Sequence, residues 1–182
     1  RRNILEFILA EHPYTCLVCK DKKDCTDFMH TTRKVSTVTG CNFCTSNGDC
    51  ELQKLVEFLE LDDVKFPISY RGISPVRDNP FYDLDYNLCV LCGRCVRICN
   101  EERNSHVLAF VERGNNTIVG TAFGENQLEA GCEFCGACVD VCPTGSISEK
   151  IGKWRGIPER SVQTTCVICP VACDMNVNTR RG

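Results

Sequence analysis

Apolar residues recur at helical spacing twice in this chain. In Asn3–Ala10 the positions Ile4, Leu5, Ile8 and Leu9 share one face, the pattern of an amphipathic helix. His12-Pro13 helps to end it, because the residue before a proline is driven out of the helical region. Glu51–Leu61 repeats the pattern with Leu52, Leu55, Val56 and Leu59. Between the two helices, Thr31–Gly40 is rich in Thr and Val and predicts a short strand. Residues 62–88 carry Pro67, Gly72, Pro75 and Pro80 and read as a linker laid over the surface. Further on, Val107–Glu112 and Thr117–Thr121 are β-rich and flank Arg113-Gly114-Asn115-Asn116, which predicts a hairpin. Gly152, Gly156 and Pro158 mark a second linker. No stretch approaches the ~18 apolar residues of a membrane span.

Composition changes this picture in one respect. Of 182 residues, 17 are cysteine, in the range of chains stapled by disulfides or metal. An odd count, tight CxxC spacing and the lack of an apolar leader at the start argue against disulfides and for a reducing, cytoplasmic setting. Cysteine supplies about a fifth of the hydrophobic residues; what remains is thin for a core, so bound metal is expected to act as core. The net charge of −3 gives no electrostatic case for nucleic acid.

Eight cysteines form two runs of one design: Cys89-x2-Cys92-x2-Cys95-x3-Cys99 and Cys132-x2-Cys135-x2-Cys138-x3-Cys142-Pro143. This is the spacing that holds two [4Fe–4S] clusters, with the fourth cysteine of each run serving the other cluster. It assigns Cys89, Cys92, Cys95 and Cys142 to one cube and Cys132, Cys135, Cys138 and Cys99 to the other. Zinc also takes CxxC ligands, but as two separated pairs rather than three evenly spaced thiolates. Nearer the start, residues 16–50 hold two copies of C-x2-C-x5-C: Cys16, Cys19, Cys25 and Cys41, Cys44, Cys50. His12 precedes the first copy by four residues, and His12, Cys16, Cys19 and Cys25 form one candidate set. The second copy is an extra [4Fe–4S] site or a source of alternative ligands, with His30 as a candidate partner; zinc stays open at one of the two triads. Cys166-x2-Cys169-x3-Cys173 is a last triad whose fourth ligand is expected outside the chain. No phosphate loop, Ser/His/Asp set or paired carboxylates appear, so no catalytic residue is assigned.

The order of these motifs, with HPYTC, GDCELQ, CVLCGRCVRIC, CEFCGACVDVCPTG and TTCVICPVAC in succession, resembles the iron–sulfur region of the large subunit of NAD-linked formate dehydrogenases and the large peripheral subunit of respiratory complex I. Up to about residue 150 it is also similar to the electron-transfer arm of [FeFe]-hydrogenases. In that family one stretch carries the histidine, a single C-x2-C-x5-C and the tail LQ. Here His12 precedes the first triad while Leu52-Gln53 follows the second, as though about 25 residues were inserted.

The resemblance implies a small, cluster-stapled α+β chain. Its expected parts are a His/Cys-rich helical segment (1–61), a linker (62–88), a two-cluster ferredoxin-like domain with a β-hairpin (89–150), and a linker opening a molybdopterin-type [4Fe–4S] domain (151–182). It implies three to five [4Fe–4S] clusters relaying electrons between a flavin/NAD or ferredoxin module and a molybdenum or tungsten pterin site, formate dehydrogenase-like. The chain is then a piece of a larger redox complex, with flavin/NAD-binding and small iron–sulfur subunits as partners. One rival is a relay arm of a hydrogenase, bifurcating or NADH dehydrogenase complex without a pterin; another is a zinc-stapled interaction module.

Overall fold

The computed structural model describes residues 1–21, 40–41, 44–151 and 158–179. The first apolar run folds as α1 (Arg2–Glu11) and ends at His12, whose extended backbone (φ −100°, ψ 148°) is what Pro13 demands. Its inner face is turned from the one expected. Leu5, Glu6, Leu9 and Ala10 are buried, whereas Ile4 is 66% exposed. Glu6 is held inside because its Oε2 accepts the Lys65 N–H at 3.2 Å. Phe7, turned outward, stacks on Phe66 with ring centroids 3.9 Å apart.

The second run folds as α2 (Glu51–Phe58), three residues shorter than expected. Glu60 adopts a left-handed conformation (φ 50°), and the Glu60 and Leu61 N–H groups donate to the Glu57 and Val56 carbonyls. That pair of bonds is a Schellman ending. Leu52 and Val56 face inward, while Leu55 stays 49% exposed. The two helices close a first core of Leu5, Leu9, Leu17, Leu52, Val56, Leu61 and Val64, with Cys50 buried among them.

The stretch expected to be a bare surface linker is more than that. It carries β1 (Tyr82–Leu84) and a 3-10 turn over Tyr86–Leu88. Tyr82 and Leu84 point inward on alternate positions, and Val76 pairs with Leu84 across a bridge. Proline and glycine dominate this stretch in sequence and hide the short alternation.

Beyond it come α3 (Arg94–Arg97), a π-helical turn over Ile98–Glu102, β2 (Ala109–Val111), β3 (Ile118–Gly120), α4 (Ala137–Asp140) and β4 (Ile147–Glu149). β2 and β3 pair antiparallel, as the hairpin pattern predicts, with Ala109 opposite Gly120 and Val111 opposite Ile118. β1 and β4 also pair antiparallel, Tyr82 opposite Glu149 and Leu84 opposite Ile147. The strand before the first cysteine run therefore lies against the strand after the second. A second core of Tyr82, Leu84, Leu108, Val119 and Ile147 sits between, with Cys95 and Cys138 buried in it.

β5 (Arg160–Thr165) and β6 (Asp174–Thr179) form a separate antiparallel hairpin, Thr165 opposite Asp174, exposed along both strands. The strand expected at 31–40 lies, except for Gly40, outside the described residues, as do Cys25, His30, Gly152 and Gly156. None of the described helices is long and apolar enough to cross a membrane.

Candidate metal centres

The two ferredoxin-type runs fold as backbone copies. Leu91 (φ 51°) and Gly93 (φ 72°) flank Cys92; Phe134 (φ 53°) and Gly136 (φ 77°) flank Cys135. Successive left-handed turns direct backbone N–H groups toward one centre, a geometry suited to anionic sulfur. The Phe134 N–H donates to Cys132 Sγ at 3.4 Å, and the Leu91 N–H does the same for Cys89. Each glycine caps the short helix that carries the third thiol, α3 for Cys95 and α4 for Cys138.

The fourth thiols cross over. α3 continues into the π-helical turn, and Cys99 lies within it; π turns inside helices recur at functional positions. A space of about 360 Å³ is lined by Cys89, Cys92, Cys95 and Cys142. A second of about 360 Å³ is lined by Cys99, Cys132, Cys135 and Cys138. The structure thus brings together both quartets that the spacing assigns. Burial pushes the Cys95 thiol up to about 12, helped by the neighbouring Cys89, Cys142 and Cys92. Burial likewise raises Cys138 to about 11. Thiols crowded in a dry place resist ionisation unless positive charge joins them. A set of four around one space fits a polynuclear cation centre, whose charge deprotonates coordinating thiols.

Tyr82 adds a contact that sequence reasoning missed. Its hydroxyl lies 3.5 Å from Cys132 Sγ. Burial, followed by the bond to Cys132, raises its pKa, so the phenol stays protonated and is able to donate to a thiolate at Cys132. The only sequence signal was an aromatic in a short β-prone run. On the opposite site, Thr144 Oγ1 lies 3.9 Å from Cys142 Sγ and donates to the Leu88 carbonyl at 2.8 Å.

Near the start of the chain the grouping differs from the one expected. A space of about 320 Å³ is lined by His12, Cys41, Cys44 and Cys50, together with Gly40, Gln53 and Gly145. Cys16 and Cys19 do not line it. The sequence offered His12, Cys16, Cys19 and Cys25 as one candidate set and left open which of the two triads His12 serves. Leu9 packs with Leu52 and Val56 in one core, which sets Cys50 at the head of α2 beside the end of α1; Cys25 lies outside the described residues. Burial lowers the His12 pKa to about 4, leaving a neutral imidazole, the form that ligates metal. Its Nδ1 is buried without a hydrogen-bond partner among the described residues. Burial pushes Cys41 up to about 12 and Cys44 to about 11. Cys16 Sγ lies beside Gly40, 2.7 Å from where a Cβ there would stand.

The last triad sits on the loop between β5 and β6. The Cys166 N–H donates to the Cys173 carbonyl at 2.8 Å, closing the loop that also carries Cys169. Val167 and Ile168 beside them are 94% and 91% exposed. Among the described residues no three His, Cys, Asp or Glu side chains converge as tightly as a single metal ion requires; around the three spaces the thiols ring a volume instead.

Residues 79–148 match the family model of the NADH-quinone oxidoreductase subunit 3 ferredoxin-like domain, and residues 1–26 match that of the NADH-ubiquinone oxidoreductase-G iron–sulfur binding region. The chain belongs to this iron–sulfur family. It is similar to the NADPH-Fe(3+) oxidoreductase subunit alpha of Geobacter sulfurreducens, 32% identical over 184 residues, covering 100% of this chain and 18% of the relative. It is similar to NADH-quinone oxidoreductase subunit 3 of Thermus thermophilus at 35% identity, covering 78% of this chain and 20% of the relative. The NADP-reducing hydrogenase subunit HndD of Solidesulfovibrio fructosivorans is 31% identical, covering 85% of this chain and 22% of its own. The chain thus spans about a fifth of the length of these relatives. The fold is similar to that of an NAD+-reducing [NiFe]-hydrogenase in the H2-reduced state, with a TM-score of 0.61 and 23% identity over 83% of this chain and 54% of the other. As a member of this family the chain is an electron-transferring iron–sulfur region.

Proposed function

We propose that this chain relays electrons through at least four [4Fe–4S] clusters, from a nicotinamide-linked module toward a catalytic site elsewhere in its complex. The observation that carries this is the exchange of fourth thiols between the two ferredoxin-type runs. It interlocks two sites so that neither forms without the other. Cys89, Cys92, Cys95 and Cys142 would hold one cluster, and Cys99, Cys132, Cys135 and Cys138 the next. A further cluster belongs among His12 and the N-terminal thiols, and another on Cys166, Cys169 and Cys173 with a fourth ligand from beyond this chain. When bound, such clusters supply one-electron transfer at potentials that their surroundings set.

The chain's own residues then do three things. The paired left-handed turns at Leu91–Gly93 and Phe134–Gly136 hold N–H donors against sulfur. Apolar side chains of the second core pack around Cys95 and Cys138, and the Tyr82 hydroxyl lies beside Cys132. Adjacency is also built in: Cys95 and Cys138 share one core, and Cys44 Sγ abuts Gly145, three residues beyond Cys142, so the three sites are neighbours suited to short electron steps.

The nicotinamide end is supported by the relatives' names, which speak of NADH, NADPH or NADP. The opposite end is read from the CVICPVAC motif as facing a molybdenum or tungsten pterin site, with formate as the substrate of the parent enzyme and a cytoplasmic setting. The similarity to hydrogenase subunits favours a second reading, a relay arm without a pterin.

Iron, acid-labile sulfide and zinc per chain, measured on anaerobically isolated protein, test the relay. About sixteen irons or more with matching sulfide are expected from four or more cubes. Zinc without iron after competent cluster assembly would refute electron transfer. Molybdenum or tungsten in the purified complex, with formate-dependent reduction of the clusters, separates the pterin reading from the hydrogenase one.

A further inference from the structure

The chain offers two triads of identical spacing to one histidine, and the nearer in sequence is not the nearer in space. We propose that His12, Cys41, Cys44 and Cys50 hold one [4Fe–4S] cluster, with Cys16 and Cys19 outside its ligand set. This rests on the relay reading above and goes beyond it by choosing between the triads. Residues 1–26, the part matching the iron–sulfur binding region, contain His12 and the first triad but none of the second.

Four observations point the same way. His12, Cys41, Cys44 and Cys50 line a single space, from which Cys16 and Cys19 are absent. His12 Nδ1 is buried and finds no hydrogen-bond partner among the described residues. A buried ring nitrogen left unpaired has lost its bond to water without a replacement, and metal ligation at this ring would remove the deficit. The loop between Cys44 and Cys50 is tied in place by Gln53, whose Oε1 accepts the Gly48 N–H at 2.9 Å and whose Nε2 donates to Asn47 Oδ1 at 2.8 Å. Finally, the wall opposite has no room for a side chain: a Cβ on Gly145 would collide with Cys44 Sγ. Gln53 and Gly145 come from different parts of the chain and both bear on the second triad. Glu51 joins the same parts, its N–H donating to the Pro143 carbonyl at 2.9 Å.

Replacing one of four thiolates by a neutral imidazole removes one negative charge, which raises a cluster's reduction potential. The assignment therefore has a readout other than turnover. In the full-length complex, His12→Cys should shift one cluster's midpoint potential downward in an EPR-monitored titration, leaving the other signals in place. Cys44→Ala and Cys50→Ala should abolish the signal that His12→Cys shifts, and Cys19→Ala should leave it unchanged. The clusters at Cys89–Cys142 report that each variant has folded, so loss of one signal is separable from collapse. If Cys19→Ala removes the histidine-sensitive signal while Cys44→Ala spares it, the assignment is overturned and the first triad is the partner. If no variant shows any iron–sulfur signal, the relay reading itself fails, which is a different result. Where an alanine variant does not accumulate, Cys44→Ser and Cys19→Ser put the same question: the serine that shifts the His12-sensitive signal marks its triad, and a shift with Cys19→Ser but not with Cys44→Ser overturns the assignment.

Discussion

At the scale of single residues, the two ferredoxin-type sites share a backbone plan and differ in the hydroxyls beside their thiols, Tyr82 at one and Thr144 at the other. Tyr82 reaches Cys132 Sγ at 3.5 Å; no described tyrosine hydroxyl is bonded to a thiol of the Cys89 quartet. A hydrogen bond to a thiolate stabilises the reduced, more negative cluster more than the oxidised one. Tyr82→Phe should therefore lower the potential of the cluster on Cys99, Cys132, Cys135 and Cys138. A differential hydrogen bond of about 1 kcal/mol corresponds to a shift on the order of tens of millivolts for one electron. Redox titration of the two signals checks it, and an equal shift at both sites would deny Tyr82 this role. Gly145 gives a steric counterpart. Gly145→Ala drives a methyl into Cys44 Sγ, so the histidine-bearing cluster should be lost or destabilised while both ferredoxin-type clusters remain, as iron counting and EPR would show.

At the scale of elements, the matched loops allow an internal comparison. Gly93 and Gly136 both cap short helices with positive φ, 72° and 77°. Around Gly136 a Cβ would meet open space, whereas at Gly93 it would stand 3.0 Å from Phe110 Cζ and 3.0 Å from Arg97 Nη1. Gly136→Ala should cost about 1–2 kcal/mol, the left-handed penalty of an L-residue. Gly93→Ala adds a clash with the β2 side chain Phe110 and should lower the apparent melting temperature of the cluster-loaded protein further. Equal effects would mean that Phe110 yields freely. The crossover of Cys99 and Cys142 was legible in sequence because spacing alone encodes it: three residues beyond the triad, the chain is already leaving the loop. The inner face of α1 was not legible. Ile4 and Ile8 are as apolar as Leu5 and Leu9, and the choice is made by Lys65, which anchors Glu6 from 59 positions away. Which thiols would face His12 was not legible either: both triads have the same spacing, and the space that His12 lines with Cys41, Cys44 and Cys50 exists only in the folded chain.

At the scale of the whole molecule, cysteine stands where a larger protein would place aliphatic side chains. Cys50 is one of eight buried members of the first core, and Cys95 and Cys138 are two of seven in the second, with Cys89, Cys99 and Cys142 packed against it. The strands that flank these cores are three residues long, and two-stranded pairs of that size do not stand alone in water. Burial of the remaining aliphatic residues must then offset backbone ordering at about 1–2 kcal/mol per residue, and so small a core cannot do so without the cross-links that bound iron provides. Anaerobic removal of iron by a chelator should therefore unfold both cores rather than leave an empty scaffold. Hydrogen exchange gives the test by region. Amides in α1, α2 and β1 through β4 should lose protection together as iron leaves. The β5–β6 hairpin, which buries no residue of its own, should exchange fast before and after. Native protection of β1 and β4 in iron-free protein would show that the apolar residues suffice, and that the thiols were gathered by the fold instead of holding it.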